Sequence, residues 1–290
     1  MTVALTAIAM LAFAANSLLC RLALGQDLID AASFTTIRVA SGAIILSLVM
    51  LPRWRKHGRR PADWRSAIML FTYMIFFSFA YLSLSAGTGA LVLFGAVQLT
   101  MFTSALRAGE HFPALSWAGL AMAIFGLIYL VSPGLTAPHP LGAGLMAVAG
   151  IAWGIYSLRG RNAAAPLEAT ANNFVLCVPL VGITSLVTLL LPVESHATWR
   201  GVMWAVASGA IASGLGYAIW YAALTGLTSS RAATVQLSVP VIAAFGGVAL
   251  LSEQITTRLL IASAATLGGV AMVLAQRAAK PLPTESDLDR

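Results

Sequence analysis

The chain has 290 residues, of which 59% are apolar and only 9% charged, whereas soluble domains carry roughly a quarter charged residues. That composition excludes a water-soluble fold. The net charge of +7 does not point to nucleic acid either. Six cations, Arg53, Arg55, Lys56, Arg59, Arg60 and Arg65, are gathered in one connection between apolar runs instead of lining a basic face.

Ten apolar windows follow one another along the chain, each of about 18 to 24 residues and so able to cross a hydrocarbon core of roughly 30 Å as a helix. They begin near Val3, Ala31, Ser66, Thr88, Ala114, Gly142, Thr170, Gly201, Arg231 and Thr257. The predicted fold is an all-α integral membrane protein of ten transmembrane helices, forming one domain over residues 1–275 with a tail over 276–290. The first window has small residues around Ala12 to Ala14 that resemble a signal-peptide cleavage site. It has no Lys or Arg before Arg21, so the basic n-region is missing and an uncleaved first helix is expected. Cys20 and Cys177 lie in apolar stretches without metal-ligand spacing, which reads as packing. No cofactor or metal is expected.

Placing the basic connection in the cytoplasm puts thirteen of the 17 Lys and Arg residues inside and leaves Arg21, Arg38, Arg200 and Arg258 outside. This is the positive-inside asymmetry, and it predicts a multi-pass protein of the cell inner membrane with both termini cytoplasmic. The basic connection then lies beside anionic lipid.

The chain also matches itself. At an offset of 140, Ser17 meets Ser157, Arg21 meets Arg161, Phe34 meets Phe174, Gly42 meets Gly182, Pro52 meets Pro192 and Tyr81 meets Tyr221. At 143, Val92 meets Val235, Phe102 meets Phe245, Glu110 meets Glu253 and Gly126 meets Gly269. Two five-helix halves result, about 1–133 and 140–275, and because five is odd the second half is inverted in the membrane. Inverted repeats place a substrate site near the midplane, where the halves rock against each other.

A ten-helix chain of this kind, with a Glu opening the last helix of each half (RAGEHFPALSWAGLAMAIFGLIYL and LLSEQITTRLLIASAATLGGVAMVLA), resembles the EamA branch of the drug/metabolite transporter superfamily. The stretch FTYMIFFSFAYLSLSAGTGALVLFGAVQLTMF further resembles the YddG-type bacterial aromatic amino acid exporters. The resemblance implies export of amino acids, aromatic ones included.

Glu110 and Glu253 each precede an apolar window by a few residues, where a carboxylate favours the helix N-terminus and faces water; a proton relay is the other reading. The remaining acids, Glu168 among them, are assigned to loops or the tail. Arg38 stands seven residues into the second window, roughly 10 Å deep. It either pairs with a substrate carboxylate or snorkels to helix-end carbonyls.

Aromatic and amide residues recur at helical spacing at mid-helix depth. They are Asn16 on the first helix, Tyr73, Phe77 and Tyr81 on the third, and Phe94, Gln98 and Met101 on the fourth. The second half supplies Trp153, Tyr156 and Ser157 on the sixth, Tyr217, Trp220 and Tyr221 on the eighth, and Gln236 on the ninth. Each amide could be polar glue between helices and each ring could be core. Their concentration in equivalent helices of both halves predicts a shared substrate cavity able to stack a planar side chain and hold an ammonium group by cation–π contact. Gly150 with Gly154 and Gly209 with Ser213 are spaced for close helix approach. Pro179 and Pro240 each remove a backbone bond, and Pro240 is a candidate hinge.

An intramembrane enzyme would need a nucleophile with its base, a metal cluster or paired acids, and none is found: His57, His111, His139 and His196 all sit in connections. A channel lacks a recognisable selectivity ring. Within transporters, phosphorylated-sugar exchange would need several deep cations, while efflux of delocalised drug-like cations fits the aromatic inventory. The expected partners are a small-molecule substrate and membrane lipid, with a monomer as the functional unit. No deep titratable group stands out, so uniport or exchange is expected in place of obligatory proton antiport.

Overall fold

A computed structural model describes residues 1–109, 111–134, 137–161, 163–190, 195–227 and 229–278. The described residues form ten membrane-scale helices, and no metal-ligand cluster occurs among them. They are α1 (Thr2–Leu24), α2 (Ala31–His57), α3 (Trp64–Ala80), α4 (Ala86–Arg107), α5 (Ala114–Val131), α6 (Pro140–Arg161), α7 (Pro166–Leu190), α8 (Trp199–Leu224), α9 (Ser229–Gln236 and Ser238–Leu251) and α10 (Thr257–Ala278). Nine are long and apolar enough to cross a membrane, and α3, with 17 residues, is a shorter apolar helix. Several starts are fixed by side-chain caps. Asp30 accepts from the Ser33 amide at 2.9 Å, Ser85 from Thr88 at 3.3 Å and Thr198 from Gly201 at 3.2 Å.

Three boundaries differ from the sequence expectation. The second helix is longer than its apolar window, since α2 continues through Pro52 to His57. The cations of its last turn, Arg55, Lys56 and His57, sit where the helix dipole favours positive charge. The last helix runs to Ala278, past the expected tail start, and the rest of the tail lies outside the described residues, as do Glu110, Glu194 and Pro192. The α7 helix continues unbroken across Pro179, whereas α9 is interrupted at Leu237. Pro240 is responsible, since it leaves the Gln236 carbonyl without its i+4 donor.

The α8 helix passes through a nine-residue π-helical segment, Ala207–Leu215. Small residues, ASGAIASGL, make that possible, and π segments concentrate where function needs an irregular backbone. A Cβ on Gly209 would collide with the Arg38 carbonyl and Ser41 Oγ, so α8 and α2 touch backbone to backbone here. Gly150 and Gly154 of α6 seat Ala96 and Thr100 of α4 in the same way, a small-residue contact that lets helices pack without a hydrophobic drive in lipid.

Helix pairing maps onto itself when the halves are exchanged. The α1 helix packs on α8 and α9, as α6 packs on α3 and α4; α2 and α7 pack on each other, as do α5 and α10. Every large contact of one half with the other therefore has its inverted counterpart. The core between them holds Phe34, Phe77, Tyr81 and Phe174, all fully buried.

Candidate functional site

A cavity of about 950 Å³ lies between the halves. It is lined by α4 (Gln98, Met101), α6 (Trp153, Tyr156, Ser157), α8 (Tyr217, Trp220, Tyr221) and α9 (Gln236), together with Phe13 of α1. Its mouth is made by Arg53, Glu168 and the α6–α7 and α8–α9 connections, so it opens at the end of the bundle that carries the basic α2–α3 connection. Nine sequence-identified residues are brought together here. Asn16, Arg38, Tyr73, Phe77, Tyr81 and Phe94 do not line it and are buried.

The wall is aromatic in a specific way. Trp153 stacks on Tyr217 with centroids 5.4 Å apart and planes at 20°, and on Tyr156 at 5.4 Å and 29°. Phe13 meets the Trp220 ring edge-on at 5.7 Å. The Tyr156 hydroxyl donates to Thr170 Oγ1 at 3.0 Å, and Tyr221 lies 3.0 Å from the same oxygen, so these rings are held by their polar tips. Ser157 donates to the Trp153 carbonyl and Gln236 to that of Ala232, which leaves the Gln236 side-chain carbonyl for other partners.

Behind Trp153 a ladder of rings leads away from the cavity: Tyr73 at 4.8 Å from Trp153, Phe77 at 5.3 Å from Tyr73, and Tyr81 at 4.8 Å from Phe77. Arg38 lies against this ladder. It is 0% exposed, so it does not snorkel. Its Nη2 donates to the Tyr73 hydroxyl at 3.2 Å, and its guanidinium sits 5.4 Å and 4.8 Å from the Tyr73 and Phe77 centroids. Among the described residues, its Nε and Nη1 have no hydrogen-bond partner. Asn16 donates to the same Tyr73 hydroxyl at 3.3 Å and accepts from Ser208, in the π segment, at 2.7 Å. A buried cation held by rings and one hydroxyl, with no carboxylate paired to it among the described residues, costs free energy that a ligand anion can recover.

The end opposite the mouth is closed. Glu253 does not cap its own helix and is not water-facing. Its carboxylate accepts the Ala86 amide of α4 at 2.9 and 3.1 Å and pairs with Arg21 at 3.3 Å. Arg21 also donates to the Tyr81 carbonyl at 3.0 Å, and the Tyr81 hydroxyl donates to that of Ala86 at 3.3 Å. Beside this lock the α1–α2 and α7–α8 connections pair through an Ile29–Ala197 bridge and a 2.8 Å bond from Thr198 to Leu28. Arg258 ties the start of α10 to the Ser132 carbonyl at the end of α5.

At the mouth, Glu168 is the residue that sequence reasoning misplaced. It lies in the first turn of α7 and is 2% exposed, with Arg53 at 3.3 Å, Arg60 at 3.7 Å and the Arg60 amide at 3.1 Å. Pro166 was the available signal, since Pro favours the first helical position and would have put Glu168 in the helix. Phe13 also went unnoticed, three residues before Asn16 on the same face. Nearby, Asp63 caps α3 and meets Arg159 at 2.6 Å. Burial pushes its carboxyl up, but the hydrogen bonds from Arg159 and Ser66, with the Arg159 charge, prevail and hold it at about 2.

Residues 140–275 match the EamA-like transporter family, and the chain is 47% identical over 276 residues to an uncharacterized protein of Pseudomonas aeruginosa, PA1977, covering 95% of each. A solved crystal structure at 20% identity superposes with a TM-score of 0.67, over 95% of this chain and 98% of that one, and so shares the fold. Ten helices, a cavity between two halves and these matches agree: the chain belongs to the EamA-like transporter family of the drug/metabolite transporter superfamily. It is a multi-pass membrane transporter of small molecules and not an enzyme.

Proposed function

We propose that this chain exports amino acids with aromatic or other partly apolar side chains by alternating access, and that the conformation described is the one open to the cytoplasm. The positive-inside rule supports the orientation, because the cavity mouth lies at the end that holds most of the cations. The observation that carries the substrate class is the stack of Trp153, Tyr156 and Tyr217 in front of Arg38, whose Nε and Nη1 lack partners among the described residues. An amino acid offers a planar or apolar side chain to the rings and a carboxylate to the guanidinium. Tyr73 and Trp153 stand between Arg38 and the cavity, so full engagement requires their displacement. The carboxylate then favours the occluded state over the open one. Pro240, beside the break in α9, is the proposed hinge.

Efflux of a delocalised cation would use the same rings by cation–π contact but would gain nothing from Arg38. Counterflow into proteoliposomes separates the two readings, using an aromatic amino acid and the corresponding decarboxylated amine. Amino acid transport with R38Q should fall by about tenfold to a hundredfold, the worth of charge-assisted bonds, with the amine unaffected. Preferred transport of the amine, or amino acid transport indifferent to R38Q in folded protein, would overturn the reading. Among the described residues Glu168 is the one carboxylate that lines the cavity, at its mouth and paired with Arg53 and Arg60; transport driven by the substrate gradient and indifferent to an imposed pH gradient is the expected outcome.

A further inference from the structure

A second large space, about 1020 Å³, lies on the outside of the bundle between α4, α5 and α6. Its floor is one stripe of α4, Val92, Ala96, Leu99, Thr103 and Arg107, spaced by three and four residues so that they share a face. Its walls are Leu127, Ile128 and Val131 of α5 and, on α6, residues such as Ala147, Ile151 and Ile155. The α5 and α6 helices each pack on α4, and α5 is drawn chiefly to α10, which leaves α4 recessed between them. Along α6 the groove runs from Pro140 to Arg159, roughly 28 Å at 1.5 Å per residue, close to the thickness of a hydrocarbon core.

The two ends of the groove differ. Pro140 and Val131 close one end without charge, while Arg107 and Arg159 stand at the other. Arg159 is already paired with Asp63 at 2.6 Å. Arg107 is exposed, and no carboxylate pairs with it among the described residues. The groove therefore suits an amphipathic ligand with a long apolar body and one anionic head on the basic side. Ser104 and Leu158 line both this groove and the central cavity, so the two spaces meet at these side chains.

We propose that the groove binds one anionic phospholipid of the leaflet on the basic side. Its phosphate sits on Arg107, its acyl chains run along Leu99, Ile151 and Ile155, and it seals the cavity wall at Ser104 and Leu158. The test uses the full chain in detergent, titrated with dioleoyl phosphatidylglycerol or dioleoyl phosphatidylcholine, with native mass spectrometry and thermal unfolding as readouts. Phosphatidylglycerol should be retained as a saturating one-lipid adduct and raise Tm, and phosphatidylcholine should bind more weakly. R107Q, on an exposed side chain, should fold normally and weaken phosphatidylglycerol binding about fivefold. I155W, which fills the groove, should remove the adduct of either lipid. If I155W does not fold, a bimane at T103C should be quenched more by doxyl-labelled phosphatidylglycerol than by doxyl-labelled phosphatidylcholine. Equal retention of the two lipids, an R107Q adduct as strong as that of the parent, or a series of adducts with no preferred first one would overturn the proposal.

Discussion

The two ends of this bundle are held by different chemistry. At the closed end the contacts join one half to the other directly: a carboxylate of the second half satisfies a helix N-terminal amide and an arginine of the first, and backbone connections pair across the gap. At the open end three ion pairs also join the halves, Arg53 and Arg60 with Glu168 and Asp63 with Arg159, but they lie beside the mouth, holding the basic connection against the start of α7 and the end of α6. None of them crosses the cavity. An ion pair between the halves therefore does not by itself close an end; the closed end adds the Glu253 contacts to the start of α4 and the backbone pairing of two connections.

The largest effect should come from unlocking the closed end. E253Q removes the charge that pairs with Arg21 and weakens the bonds from the Ala86 amide, in a place where both side chains are mostly buried. It should cost the closed arrangement about 2 to 4 kcal/mol. Spin labels on Asp27 and Gln254, both exposed at that end, should then report a longer and broader distance distribution by pulsed dipolar spectroscopy. An unchanged distribution would mean that the paired connections alone keep this end shut.

A far smaller effect is expected at the rim. Asp63 and Arg159 are 48% and 38% exposed, so their pair is worth only about 0.2 to 1 kcal/mol. Because the folded carboxyl is held at about 2, below its unfolded value of about 3.9, its contribution is present above the unfolded value. It is lost as pH falls through the folded one. D63N should therefore lower the thermal unfolding temperature slightly at pH 7, and the difference from the parent should shrink as the pH approaches 2.

Much of this architecture was legible in the sequence because membrane burial enforces it. Long apolar runs give the helices, and an odd number of them per half gives the inversion. Rare polar and aromatic residues such as Gln98, Trp153 and Tyr217 stand out against the apolar background, and they line the cavity. What was not legible depends on partners distant in sequence. Glu253 looks like a cap for α10 yet serves α4, because its target amide is 167 residues away. Tyr81 shares helical spacing with Tyr73 and Phe77 but caps α3 and belongs to the lock. The π segment of α8 comes from small residues meeting the Arg38 carbonyl, which no local pattern announces. The depth of Arg38 was readable, while the two of its nitrogens that lack a partner among the described residues were not.

The central claim is that the aromatic cavity, open at the basic end, is where substrate binds. Ser157 lines it, whereas the native Cys20 and Cys177 are buried, so S157C provides a reporter. Labelling by a membrane-impermeant maleimide would be measured in inside-out and right-side-out vesicles, with and without an aromatic amino acid. The account predicts labelling in inside-out vesicles that the amino acid slows, and little labelling in right-side-out ones. Reagent reaching S157C mainly from the outside, or labelling that the amino acid leaves untouched, would contradict it.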